Sequence, residues 1–294
     1  MELQLRDRTL SIELGRPLLM GIVNTSRDSV SDTVRLRTLD EQRAAALQMR
    51  DEGATIIDVG GDSGRTDRAP RSEDEEIRQV APLVESLVAD GILVSVDTFK
   101  LRVAQAAVAA GAALINDVSG LADPRMAELA AQCGAGLVLM HTRAEPKAAR
   151  FPRYEDPVAD VVDFLSERMQ VARDKGVRAE QIVLDPGPDY AKTPRDSIEI
   201  LRRLPEVTAL GRPILLAVSR KYFIGALTDR PPDDRLAGTL AAVGVGVDAG
   251  AAIVRVHDVS DVARFLRVRA ALAGLDDELP DYRDEERLKW LPGG

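Results

Sequence analysis

The sequence predicts an α/β fold, a TIM-type (β/α)8 barrel with a short N-terminal β-hairpin, and three observations carry that prediction. Eight short apolar runs alternate with helix-length stretches along the chain. The runs are rich in β-branched residues and do not alternate with polar ones, which is the pattern of parallel strands buried on both faces. Most runs close on a polar residue, at the strand end where a parallel barrel keeps its functional groups. The whole chain, 1–294, reads as one domain, with residues 1–16 as the hairpin and 275–294 as a polar tail in which Trp290 is a possible anchor.

In chain order, Leu3 to Leu14 alternates with period two around a charged Arg6-Asp7-Arg8 centre, the pattern of a hairpin. The apolar runs are Leu18–Val23, Thr55–Val59, Ile92–Val96, Ala113–Ile115, Gly136–Met140, Ile182–Leu184, Ile214–Val218 and Ala252–Val256. Between them, Thr38-x-x-Glu41 and Ser72-x-x-Glu75 are capping boxes that open helices. After the second box Ile77, Val80, Val84 and Leu87 share one helical face, and Pro82 is expected to kink that helix. The rival architecture is a doubly wound open sheet. Its dinucleotide version is weakened because no G-x-G-x-x-G turn follows the first run.

Composition sets outer bounds. Lys and Arg total 39 against 48 Asp and Glu, for a formal net charge of -9. That balance argues against a general nucleic-acid binder, while leaving room for a local anion site. Cys133 is the only cysteine, so the chain alone builds neither a disulfide framework nor a thiolate metal site. A charged N-terminus without an apolar core, and no membrane-length apolar run, lead to the expectation of a cytoplasmic protein with no membrane partner.

The strand ends supply Asn24, Asp58, Asp97, Asn116, Asp117, His141, Asp185, Ser219, Arg220, Lys221, Arg255 and His257. One Asp in such a place is usually a turn former or cap, and Asp58 and Asp117 are candidates for that role. His141 reads equally as a ligand or as a histidine satisfied by a neighbour. Carboxylates and an amide, at Asp97, Asn116 and Asp185, suit a flat heterocycle with an amino-amide edge, because a carboxylate accepts two parallel N–H bonds. Arg255, His257 and Lys221 suit phosphate oxygens or an electron-rich ring.

The strings VSVDTFK, LINDVSG, VLMH, IVLDPG, SRKYFIG and IVRVHDV, in this order, resemble the motif series of the dihydropteroate synthase family from about Leu18 to Val259. MGIVNTSRDSVSD and DVGGDSGR resemble its two mobile-loop motifs in altered form. The resemblance implies a transferase that joins hydroxymethyl-dihydropterin diphosphate to para-aminobenzoate, or a related arylamine, and releases diphosphate. It implies that Asp97, Asn116, Asp185, Lys221 and Arg255 bind the pterin. Asn24, Arg255 and His257 would hold the diphosphate, with Mg2+ on Asn24. Ser63, Arg65, Tyr190 and Ser219 would lie on the arylamine side, and Lys221, Arg255 and His257 form the catalytic set. A homodimer is implied as well. The resemblance further implies that diphosphate leaves before the amine attacks and that loops exclude water from the site.

The departures from the family pattern concentrate in loops. Thr33 and Val34 replace a glycine pair, and Ser63-Gly64-Arg65-Thr66-Asp67 stands where Ser-Thr-Arg-Pro-Gly is expected. Tyr190 adds a hydroxyl to the aromatic wall, and Ala217 replaces a floor glycine, which would seat the pterin higher. These changes keep a second class open, a catalytically silent pterin-binding paralogue. Transfer to another allylic-type diphosphate is disfavoured by the retained Asp97, Asn116 and Asp185. A methyl-folate-binding domain of a corrinoid methyltransferase would not need the Ser219–Lys221 and Arg255–His257 anion set.

Overall fold

The computed structural model describes residues 1–25, 38–62, 70–148 and 150–275. A hairpin of β1 (Glu2–Leu5) and β2 (Arg8–Ser11) precedes eight parallel strands, β3 (Leu18–Asn24), β4 (Ile56–Gly60), β5 (Leu93–Asp97), β6 (Leu114–Asp117), β7 (Gly136–Met140), β8 (Ile182–Asp185), β9 (Leu215–Leu216) and β10 (Ile253–Val256). Their order is β8-β7-β6-β5-β4-β3-β10-β9, and a parallel bridge from Leu184 to Ile214 joins the two outer strands. That bridge closes the sheet into the expected barrel and rules out the open-sheet alternative.

The helices are α1 (Leu39–Asp51), α2 (Glu73–Ala89), α3 (Leu101–Ala109), α4 (Arg125–Cys133), α5 (Pro157–Asp174), α6 (Pro194–Arg202), α7 (Leu204–Thr208), α8 (Tyr222–Thr228), α9 (Leu236–Asp248) and α10 (Val259–Leu272). Both expected capping boxes form, at Thr38/Glu41 and Ser72/Glu75. α2 runs as one helix from Glu73 to Ala89 through Pro82. Its buried face carries Val80, Leu83, Val84 and Leu87, and also Glu76, whereas Ile77 is only half-buried. The face is therefore rotated slightly from the one read in the sequence, and it turns a carboxylate inward.

β9 is shorter than the apolar run that predicts it. After Leu216 the chain leaves the ladder, and the still-buried Ala217 and Val218 lead into Arg220, whose φ of 58° is left-handed. The barrel gives up pairing there to form the sharp turn that carries Ser219 and Lys221.

Two apolar layers result. One lies between strands and helices, and the other fills the barrel itself with Met20, Ile56, Leu93, Leu114, Val138, Val183, Leu215 and Ile253. The hairpin completes this inner layer, because Leu3 and Leu5 are fully buried within it. Arg6 fastens the hairpin turn, donating from its backbone to Gly134 O at 2.7 Å and from its guanidinium to Val108 O at 2.8 Å. A Cβ on Gly136 would lie 2.3 Å from Leu5 Cδ2, so the strand start is kept bare to admit the plug. Leu5→Ala is expected to lower stability by about 2–5 kcal/mol, the range for a leucine removed from a core that cannot collapse; urea denaturation followed by circular dichroism measures it.

Candidate active site

Alternate residues of a strand face the same side. Inside the barrel Ile56, Leu93, Leu114, Val183, Leu215 and Ile253 form the apolar floor. Two residues further along the same strands stand Asp58, Ser95, Asn116, Asp185, Ala217 and Arg255, and two further again Asp97, Ser219 and His257. Period two thus stacks a polar layer directly above an apolar one, at the strand ends where the sequence expected chemistry.

Arg255 is the hub of that layer. Its Nε donates to Asp58 Oδ2 at 2.6 Å, and its Nη2 donates to Asp97 Oδ2 at 2.8 Å. Asn116 Nδ2 also donates to Asp58 Oδ2, at 3.1 Å. Asp58 is fully buried, so it anchors the arginine rather than capping a turn. Its Oδ1, Asn116 Oδ1 and Ser95 Oγ are buried polar atoms without a hydrogen-bond partner. Such atoms are costly in an apolar interior, and a bound ligand with matching donors is one way to satisfy them. Burial pushes Asp97 up to about 7, against the pull of Arg255 and with the repulsion of Asp58. One guanidinium shared by two carboxylates does not keep both charged at no cost. Asp185 is also raised by burial; its Oδ1 accepts from Gly187 N at 2.7 Å.

Above this layer opens a cavity of about 610 Å3, lined among others by Asn24, Asp97, Tyr190, Ser219, Arg255 and His257. Lys221 and Ala217 line it too. Asn116 and Asp185 are not on its wall; they lie in the layer beneath, close enough for Asp185 to act on the charges of both Lys221 and Arg255. Lys221 Nζ stands 4.2 Å from the centre of the Tyr190 ring and makes no hydrogen bond among the described residues. Burial lowers its pKa, while Asp189 and Asp185 raise it.

Ser219 and His257 form a pair. The serine hydroxyl accepts from His257 N at 3.2 Å and sits 2.9 Å from His257 Nδ1. Burial, then Arg255, Arg220 and Lys221, pull the imidazole down to about 3, so it is neutral at physiological pH. A hydroxyl proton directed at Nδ1 places the ring proton on Nε2. Arg220 closes this corner: its guanidinium pairs with Asp258, its backbone N–H donates to Thr239 Oγ1 at 3.0 Å, and its carbonyl accepts from Arg235 Nη1 at 2.9 Å.

Sequence reasoning missed a charged cluster at the cavity wall. Lys100 Nζ donates to Glu76 Oε2 at 2.6 Å, to Asp62 Oδ2 at 3.1 Å and to Arg71 O at 2.9 Å. Asp62 also pairs with Lys147 of the loop after β7, and Thr98 Oγ1 donates to Glu76 Oε1 at 3.0 Å. The readable signal was Glu76 beside the apolar face of α2. Ser63, Arg65, Thr33, Val34, Asp67 and Trp290 lie outside the described residues. His141 proves to be a buried histidine held by a neighbour, with Nε2 2.8 Å from Asp160 Oδ2 and its ring edge-on to Phe164, while its Nδ1 is buried without a hydrogen-bond partner. Asp117 is a loop anchor, accepting from Ser119 N and Leu121 N. Among the described residues, no three His, Cys, Asp or Glu side chains cluster as a metal cage, and no helix is long and apolar enough to cross a membrane.

Residues 20–257 match the sequence profile of the family described as "Pterin binding enzyme". The Bacillus subtilis dihydropteroate synthase is 42% identical over 259 residues, covering 87% of this chain and 89% of that protein. The Yersinia pestis dihydropteroate synthase, solved in complex with a sulfonamide drug, superposes with a TM-score of 0.88 at 35% identity, covering 94% of this chain and 100% of that one. The Thermus thermophilus dihydropteroate synthase, solved with 4-aminobenzoate, gives 0.82 at 38% identity over 92% of this chain and 100% of that one. A barrel whose inward strand ends carry Asp97, Asn116, Asp185 and Arg255, matched to these enzymes over nearly its whole length, belongs to the dihydropteroate synthase family of pterin-binding enzymes.

Proposed function

We propose that this chain condenses hydroxymethyl-dihydropterin diphosphate with para-aminobenzoate, or a related arylamine, and releases diphosphate. The observation that carries the reading is the polar layer around Arg255, with unsatisfied acceptors at Asn116 Oδ1 and Asp58 Oδ1 below a cavity lined by Lys221 and His257. Its enzyme relatives favour a working transferase over a silent pterin binder.

In this reading Asp97, Asn116 and Asp185 accept from the amino-amide edge of the pterin. Arg255 turns from its carboxylates to lie on the ring and face the diphosphate, and Lys221 supports the ring from the Tyr190 side. His257 donates its neutral Nε2–H to the leaving group, oriented by Ser219. The C–O bond to diphosphate breaks first, with the electron pair leaving on the phosphate oxygen and the carbon stabilised by the pterin. The amine lone pair then forms the C–N bond and its surplus proton passes to solvent. An aniline nitrogen is unprotonated at neutral pH, so no strong base is required. Tyr190 and Ser219 border the amine; Ser63 and Arg65 are assigned to the same side on the resemblance alone.

Mg2+ prefers hard oxygens and keeps water and substrate phosphates among its ligands, so it needs few protein groups. Asn24, at the end of β3, fits that demand: its Oδ1 lies 3.1 Å from where a Cβ on Gly60 would stand, so glycine there leaves the carboxamide room. When bound, the ion would neutralise charge developing on the diphosphate. The exposed apolar side chains Val245 of α9 and Val268 and Leu272 of α10 support the homodimer implied by the family.

Diphosphate release from the pterin diphosphate is expected to require para-aminobenzoate and Mg2+; release at the same rate without the amine, or none with it, contradicts the reading. Asp97 generates a second expectation. Above pH 7 it is a carboxylate ready to accept N–H donors, and below pH 7 it holds a proton that ligand binding must remove. Affinity for hydroxymethyl-dihydropterin diphosphate should therefore fall on acidification through that pH, by up to about tenfold per unit. Asp97→Asn should weaken binding about 10- to 100-fold at pH 8, the loss of charge-assisted hydrogen bonds, and flatten the pH slope. Titration calorimetry between pH 5.5 and 8.5 measures both.

A further inference from the structure

The loop after β8 holds three left-handed residues in five positions, Gly187 at φ 63°, Asp189 at 67° and Ala191 at 53°. Two of them are not glycine, and such conformations persist only where surrounding contacts enforce them. Between those two stands Tyr190, the ring that faces Lys221.

The buried group bonded to this turn is Lys192. It is 1% exposed, yet no carboxylate pairs with it among the described residues. Its ammonium donates to Gly187 O at 2.8 Å, to Tyr190 O at 3.0 Å and to His141 O at 3.2 Å. An ammonium has three donors, and all three end on backbone carbonyls. Two of those carbonyls belong to the loop, and the third lies just beyond β7 on the neighbouring strand. The approach is close: a Cβ on Gly187 would lie 2.2 Å from His141 O and 3.3 Å from Lys192 Nζ. Other contacts complete the grip. Asp189 Oδ2 accepts from Phe223 N at 3.2 Å, Asp189 N donates to Ser197 Oγ at 2.9 Å, and Tyr154 donates from its hydroxyl to Ala191 O at 3.0 Å. A buried cation without an ion pair is expensive, and a neutral side chain of the same length would pack there at less cost. What the neutral side chain lacks is three donors converging on one turn.

We infer that Lys192 is a positioning residue, whose ammonium holds the Gly187–Ala191 turn so that the Tyr190 ring stays against Lys221 and walls the arylamine side of the cavity. The inference rests on the pocket reading proposed above. Lys192 touches no substrate; it acts through Tyr190.

The test compares wild type with Lys192→Met, which keeps a linear stem and removes the donors. Two measurements need no turnover: hydrogen exchange of the backbone amides of residues 187–192, and binding of the pterin diphosphate by calorimetry. Exchange in that segment should accelerate at least about tenfold, the sign of a local opening made easier. Pterin diphosphate affinity should stay within about threefold, because Asp97, Asn116 and Arg255 are untouched, while KM for para-aminobenzoate rises about tenfold or more. In Tyr190→Ala the further change Lys192→Met should add little to KM, since the ring it positions is gone. Should Lys192→Met fail to fold, Lys192→Gln, which keeps two donors, carries the same comparison with smaller changes. A folded variant with unchanged exchange and unchanged KM overturns the inference, as does an equal loss of pterin affinity and amine KM, the mark of general loosening. Wild-type protein that binds the pterin but forms no product sinks the transferase reading alone, because the exchange experiment still decides on the turn.

Discussion

The structure is organised around one buried cation, Arg255, held between the carboxylates of Asp58 and Asp97 inside a closed ring of strands. A guanidinium within a barrel is tolerable only where carboxylates meet it at hydrogen-bond distance, and a carboxylate as buried as Asp58 needs the arginine equally. The three residues come from β10, β4 and β5, with β3 lying between the first two. Only the curvature of a barrel lets a side chain on β10 reach past β3 to its second and third neighbours. Closure of the sheet and assembly of the polar layer are thus one constraint, and loss of the strand order would strand three charges in an apolar interior.

Around this hub the chain separates stability from chemistry along the barrel axis. Below, the hairpin leucines and the first residues of each strand form a dry plug. Above, the inward positions become polar and a cavity opens. Glycines set the boundary where side chains must pass closely. A Cβ on Gly61 would lie 2.3 Å from Glu76 Cγ, so the turn after β4 is kept bare to let that carboxylate reach Lys100. The cluster of Asp62, Glu76, Lys100 and Lys147 then ties together the loops after β4, β5 and β7, and its opposite charges offset one another. The negative net charge of the whole chain says little about the cavity, whose wall includes Lys221 and Arg255.

Two neutral or nearly neutral groups matter as much as the charged ones. His257 is kept uncharged by burial beside three cations, which makes it an N–H donor rather than a competing charge. Asp97 sits near its titration point, because burial and the repulsion of Asp58 raise it against the pull of Arg255. Both follow from burial, together with the crowding of charges into one layer.

Much of this was legible in the chain. β-branched runs marked the strands, and the polar residues at or near the ends of those runs marked Asp97, Asn116, Asp185 and Arg255, because period two converts spacing along a strand into a shared direction. The capping boxes at Thr38 and Ser72 were readable for a similar reason, since their geometry is local. Hidden from sequence were Glu76, Lys100, Lys147 and Lys192, and the true partner of Asp58. A lysine in a loop or a glutamate on a helix is ordinarily solvated, and its burial depends on which carbonyls or carboxylates the fold brings beside it from distant segments. Sequence by itself determined the strands and the direction their ends face; tertiary structure decided which charges are paired, because pairing is a matter of distance across the barrel rather than along the chain.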